Sequence, residues 1–155
     1  MNSNNILKTG VLDKALAVLN SKRQKNHNGK VHDEVRDYFI DNLHIIKEGL
    51  KFLEKELRVV GGDVDIVAKD DKNFYLIEVK TQLSRYNIRG NQNAIAQLLK
   101  QKKGLERMVS MFTNKKLHLK LIFIKYERDT KRIQVNFVNG HGKVERSVRF
   151  NLRVD

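Results

Sequence analysis

The chain has 155 residues, 40% of them hydrophobic, which suits one compact domain with a single core. It contains no Cys, so disulfides and thiolate metal sites are excluded, and no apolar run approaches the roughly 20 residues of a membrane helix. Lys plus Arg number 31 against 18 Asp plus Glu, a net charge of +13, which favours a polyanionic partner because neutralising phosphates releases condensed counterions.

The opening MNSNNILKTG lacks the apolar segment of a signal peptide, so a cytoplasmic protein is expected. Residues 10–21 (GVLDKALAVLNS) predict a short amphipathic helix, and 21–30 (SKRQKNHNGK) a polar, basic linker or phosphate-binding arm. Lys22, Arg23, Lys25 and Lys30 are candidate phosphate contacts there. Residues 1–30 are therefore expected to stand apart from a main domain over 31–155.

From Val31 the apolar residues recur at 31, 35, 39, 43, 46, 50, 53 and 57. Steps of three and four predict one long helix, or two separated near Gly49. The period then changes. Residues 58–68 (RVVGGDVDIVA) predict a strand, KDDKN a turn, and 74–81 (FYLIEVKT) a second strand. Residues 82–92 read as a loop, and 93–112 return to helical spacing through Ile95, Leu98, Leu105, Val109 and Phe112. Residues 117–126 (LHLKLIFIKY) predict an apolar strand. Residues 133–138 and 144–152 flank NGHG, a hairpin signal. The order predicts an α/β fold, a central mixed β-sheet flanked by helices.

The hairpin carries the chemistry. A turn centred between Asp71 and Lys72 places Asp65 opposite Glu78 and Asp63 opposite Lys80. Side chains alternate along a strand, so these groups form one patch. Like charges directly opposite repel, and a buried pair drives one carboxyl to stay protonated. A divalent cation removes that conflict. Mg²⁺ takes few protein carboxylates, keeps several waters and accepts phosphate oxygens. Lys80 beside it is suited to stabilise charge on a phosphate or to orient a water.

GGDVDIVA, a short turn, then FYLIEVKT resembles the PD-(D/E)XK nuclease signature, over roughly residues 31–125. The resemblance implies a restriction-endonuclease-like fold and a Mg²⁺-dependent DNA endonuclease, Mn²⁺ being able to substitute. It implies that Asp65, Glu78 and Lys80 are catalytic, with Asp65, Glu78 and the Val79 carbonyl on the metal. Val64 stands where the signature's Pro would be, and Asp63 is a rival ligand. Many members carry a further Glu on the preceding helix, for which Glu34 is the candidate as catalytic residue and ligand. Some use a Gln on the following helix, for which Gln97 is the candidate and Gln92 the second. Lys100 and Lys103 on that helix, and Lys143, Arg146, Arg149 and Arg153 near the C-terminus, are candidate DNA contacts.

Small size, basic charge and the IVA and LIEVKT segments are similar to the archaeal Holliday-junction resolvases. That similarity implies a homodimer acting on branched DNA. Val60 before Gly61-Gly62 leaves no serine match in that region. Two alternatives stay open: a homing, restriction-like or repair endonuclease of the same superfamily, and a catalytically silent nucleic-acid-binding subunit. The five His residues show no ligand spacing, which argues against zinc.

Overall fold

The computed structural model describes residues 29–82 and 88–151, with backbone alone over 88–91. The expected N-terminal helix, most of the basic linker with Lys22, Arg23 and Lys25, and Arg153 all lie outside these residues.

Helix α1 (Lys30–Asp41) buries Val35, Arg36 and Phe39. A 3₁₀ turn (Leu43–Ile45) carries the buried side further through Leu43, and Ile46 follows it into the core. Gly49, with φ +86, then turns the chain, and strand β1 (Lys51–Val59) begins. The helix expected over 31–57 therefore stops at Asp41, and its last third is a strand. The misleading spacing has a physical cause. Strand β1 shifts register between Phe52 and Glu54, and Glu56 adopts a positive φ of 51. Each irregularity adds residues to the two-residue alternation, so Leu50, Leu53 and Leu57 imitate a helical period.

The Gly61-Gly62 pair also reads differently in three dimensions. Strand β2 (Gly62–Lys69) pairs antiparallel with β1 from Val59↔Gly62 onward. Val60 and Gly61 are thus the turn of a hairpin rather than the middle of one strand; Gly61 and Gly62 both have positive φ, which glycine adopts without steric cost. Strand β3 (Phe74–Gln82) follows the Asp70–Asn73 turn and pairs with β2 through Ile66↔Ile77 to Lys69↔Phe74. Helix α2 (Ile88–Ser110) is the crossover to β4 (Leu119–Glu127), which runs parallel to β3. Strands β5 (Arg132–Val138) and β6 (Val144–Asn151) complete an antiparallel meander. The six strands lie in the order of the sequence.

Each sheet face has its own apolar cluster. Leu98, Leu105 and Val109 of α2 pack with Leu76, Leu121 and Phe123. Val35 and Phe39 of α1 pack with Ile66, Ile77, Ile122 and Ile124 on the other face. Each such side chain contributes about 1.5–3 kcal/mol when fully buried. No described helix is long and apolar enough to cross a membrane.

Two contacts hold the hairpins that carry the polar residues. At the β2–β3 turn, Asp70 Oδ1 accepts the Lys72 and Asn73 backbone N–H groups, each at 2.8 Å. Its Oδ2 receives Lys47 Nζ at 2.5 Å and Tyr75 Oη at 2.6 Å. Burial works against the Asp70 carboxylate, but these donors outweigh it and hold its pKa far below the usual range. At the β1–β2 turn, Val60 lies against α2 so closely that a Cβ on Gly104 would stand 2.1 Å from the Val60 carbonyl oxygen.

Gly104→Ala is expected to destabilise the protein by about 2 kcal/mol in denaturant unfolding, as overpacking against backbone does. Gly140→Ala, with open space around it, is the matched control and should stay within about 0.5 kcal/mol. The depressed Asp70 pKa fixes the sign of an acid effect. The stability it contributes is full above its ordinary value of 3.8 and is lost as pH falls toward the folded value. Asp70→Asn, which keeps an acceptor for the turn, should be less stable than the wild type at pH 7, and the gap should close in melts below about pH 3.

Candidate active site

The β2–β3 ladder follows the expected register as far as Ile66↔Ile77. Beyond that pair, β3 keeps its parallel partner β4 through Gln82↔Glu127, while β2 leaves it. The next residues along the two strands are Asp65 and Glu78, both only 3% exposed. Asp65 Oδ2 accepts the Val79 backbone N–H at 2.7 Å, so a side chain takes the place of the missing ladder bond. Along an extended strand a residue's N–H and C=O point to the same side, so the Val79 carbonyl also opens on this gap.

Asp65 sits where the alternation of β2 breaks. Val64 and Val67 pack in the cluster under α2, whereas Ile66 and Ala68 pack in the cluster under α1. On β1, the kinked Glu56 falls between the pairs Lys55↔Ile66 and Leu57↔Val64. The break turns the Asp65 carboxylate into the gap beside Glu78. A cleft of about 260 Å³ opens there, lined by His32, Asp63, Asp65, Glu78, Val79, Lys80, Thr81 and Gln97 with Gly29.

Helix α2 supports the Glu78-Val79-Lys80 segment by a match of spacings. Lys80 Nζ donates to Gln97 Oε1 at 2.9 Å, and Gln101 Nε2 donates to Glu78 Oε2 at 3.3 Å. Two residues along a strand span about 6.7 Å, and four along a helix about 6 Å. One residue pair therefore seats the other. Gln101 is fully buried and also donates to the Asp63 carbonyl at 2.9 Å, while its own Oε1 has no hydrogen-bond partner. The Lys80 ammonium stands 3.4 Å from Glu78 Oε1.

The electrostatics follow from burial. Desolvation first, and the Asp65 charge second, push the Glu78 carboxyl up to about 8, against the opposing pull of Lys80 and Gln101. His32 is raised above its ordinary value: burial opposes its protonation, but Asp65, Asp33 and Glu78 prevail. Two oxygen donors that repel each other in a buried cleft are suited to a hard divalent cation. Asp65, Glu78 and the Val79 carbonyl could hold one. Among the described residues, no three His, Asp or Glu side chains form a ready-made metal-ligating group, so water and substrate would supply the remaining positions.

The sequence-predicted residues divide. Asp65, Glu78, Lys80 and Gln97 line one cleft. Asp63 lines it too, but its carboxylate is engaged by Arg58 Nε at 3.2 Å. Glu34 is not brought there. It pairs weakly with Lys30 at 4.0 Å and lines a separate cavity with Tyr126 and Arg128. Two residues apart on a helix are about 200° apart, and it is His32 that faces the cleft, with Nε2 3.2 Å from Asp65 Oδ2. Gln92, Lys100 and Lys103 are exposed on α2. His32 and Gln101 escaped the sequence reading. The available signal was phase: His32 and Arg36 share a helix face, and Gln101 lies one turn beyond Gln97.

A family model described as the endonuclease NucS C-terminal domain matches residues 31–136. The chain belongs to this family. A UPF0102 protein of Thermodesulfovibrio yellowstonii is 44% identical over 41 residues, 26% of this chain and 37% of that protein. Among solved structures, a repair endonuclease from Pyrococcus abyssi aligns with a TM-score of 0.43 at 17% identity, covering 68% of this chain and 41% of its own. An EndoMS–double-stranded DNA complex aligns at 0.35 with 19% identity, covering 68% and 47%. SfsA of Pyrococcus furiosus in complex with Ca²⁺ aligns at 0.35 with 15% identity, covering 65% and 60%. The chain thus spans well under two thirds of the length of these relatives.

In this NucS-family domain the raised Glu78 pKa predicts a stability slope. The stability from this group is full below its ordinary value of 4.5 and is lost as pH rises through about 8. Glu78→Gln should therefore raise the Tm of the metal-free protein at pH 8 by several degrees, where ~1 kcal/mol is worth about 2–4 °C. It should have little effect at pH 4.5 or below. Differential scanning calorimetry in chelator at the two pH values reads the difference.

Proposed function

We propose that this domain is a DNA endonuclease of PD-(D/E)XK type, hydrolysing phosphodiester bonds with Mg²⁺ or Mn²⁺ held by Asp65, Glu78 and the Val79 carbonyl. The observation that carries this reading is the pair of adjoining buried carboxylates with the Lys80 ammonium on one open cleft. The endonuclease description of the family and the net charge of +13 support it. When bound, the cation supplies positive charge at the scissile phosphate. Lys80, steered by the Gln97 carbonyl, offers a fixed positive charge to the oxygens on which negative charge develops. Gln101 and the Val79 N–H keep the two carboxylates from turning away from the cleft. Within this reading the substrate is branched DNA, cut by two copies of the chain acting on opposed strands.

Asp65→Asn, Glu78→Gln and Lys80→Met are each expected to lower Mg²⁺-dependent nicking by at least about 100-fold, the scale of losing one preorganised charge at the reaction centre. DNA binding by Lys80→Met in chelator should change little by comparison, and Glu34→Gln should cleave like the wild type. The panel is a four-way junction, a flap, linear duplex and single strand, each with Mg²⁺ or Mn²⁺. Symmetric nicks on the junction by a dimeric species are the expected result. Preference for one duplex sequence would replace the branched substrate with a sequence-specific one. Binding without cleavage on every substrate would make the domain a silent binding subunit.

A further inference from the structure

Asp65 Oδ2 is held from two sides, by the Val79 N–H at 2.7 Å and by His32 Nε2 at 3.2 Å. The His32 side chain is only 13% exposed, and it is itself held from behind. Its Nδ1 stands 3.5 Å from Asp33 Oδ1. That oxygen accepts Arg36 Nη1 at 3.1 Å, and the buried Arg36 also binds Asp37 at 3.0 Å and Glu56. Glu56 is the kinked residue of β1, with φ 51, lying between the strand pairs that flank Asp65. The polar contacts thus form a circuit that leaves β1 beside Asp65, crosses α1 and returns to Asp65 through the imidazole.

Burying an arginine and a histidine together costs desolvation that an apolar helix end would not incur. What the circuit delivers is a donor at one fixed point on Asp65. Both ring nitrogens face carboxylates, so Nε2 presents its proton to Asp65. We propose that His32 is a positioning residue that orients Asp65 for divalent-cation binding by hydrogen-bonding its Oδ2. This rests on the reading that Asp65 and Glu78 hold the cation. Hydrogen bonds to ligating carboxylates orient the ligand, and removing such a partner weakens binding even though it touches no metal.

The test reads cation binding without DNA, by titration calorimetry with Mn²⁺ and by the Mn²⁺-dependent rise in Tm, on the full chain. His32→Leu should weaken Mn²⁺ binding by about 10–100-fold, whereas His32→Gln, with an amide N–H near the position of Nε2, should stay within about threefold of the wild type. Metal-free melts show that both variants fold. Binding by His32→Leu equal to the wild type overturns the proposal. So does an equal loss in both variants, because the hydrogen bond would then not be what matters. Failure of the underlying reading looks different: wild type and Asp65→Asn would bind Mn²⁺ alike.

Discussion

Two carboxylates buried side by side are the constraint around which this domain is arranged. Asp65 and Glu78 meet where β2 and β3 part, and neither has enough water to be content as an anion beside the other. The surrounding polar groups answer that problem one atom at a time: a backbone N–H and an imidazole for Asp65, an amide and an ammonium for Glu78. Those donors come from three elements, α1, β3 and α2. The two helices on opposite faces of the sheet thus serve the same few ångströms of space. A buried polar cluster of this kind is costly when incompletely satisfied and specific when satisfied. The orphaned Gln101 Oε1 marks where satisfaction stops.

The central hairpin was legible in the sequence because a regular hairpin is symmetric about its turn. Counting outward from Asp71 and Lys72 gives Ile66 opposite Ile77, as observed, and the same count brings Asp65 and Glu78 together. What counting cannot show is that the ladder ends just before that pair, which is why a side chain of Asp65 reaches the Val79 N–H. Strand β1 was illegible for the complementary reason. Its bulge near Leu53 and the kink at Glu56 destroy the alternation that announces a strand, and the residue spacing that remains is helical.

The helical contributions were half legible. Gln97 was found because it lies near the middle of a clear helix, although that helix starts at Ile88, five residues before its expected beginning. Gln101 was hidden among lysines, since buried glutamine looks like surface glutamine until the strand beneath it is placed. On α1 the apolar stripe gave the buried side but not its exact rotation. Val35 and Phe39 are compatible with either flank, and it is Arg36, a buried cation, that shifts the inward face toward His32 and away from Glu34.

The strand order has a bearing on how the cleft comes into being during folding. Five strands or more in sequential order mean that most pairings are between neighbours in the chain, which close quickly because their loops are short. One pairing, β3 with β4, closes over the whole of α2. Contacts of that separation form late relative to local hairpins. The hairpin bearing Asp65, Glu78 and Lys80 can therefore exist before Gln97 and Gln101 arrive, with its charges in water and unconstrained. Docking of β4 draws α2 onto the sheet, and only then do the carboxylates lose their solvent. The cleft is in this sense the last part of the molecule to be built, and its geometry inherits the slow step of the fold.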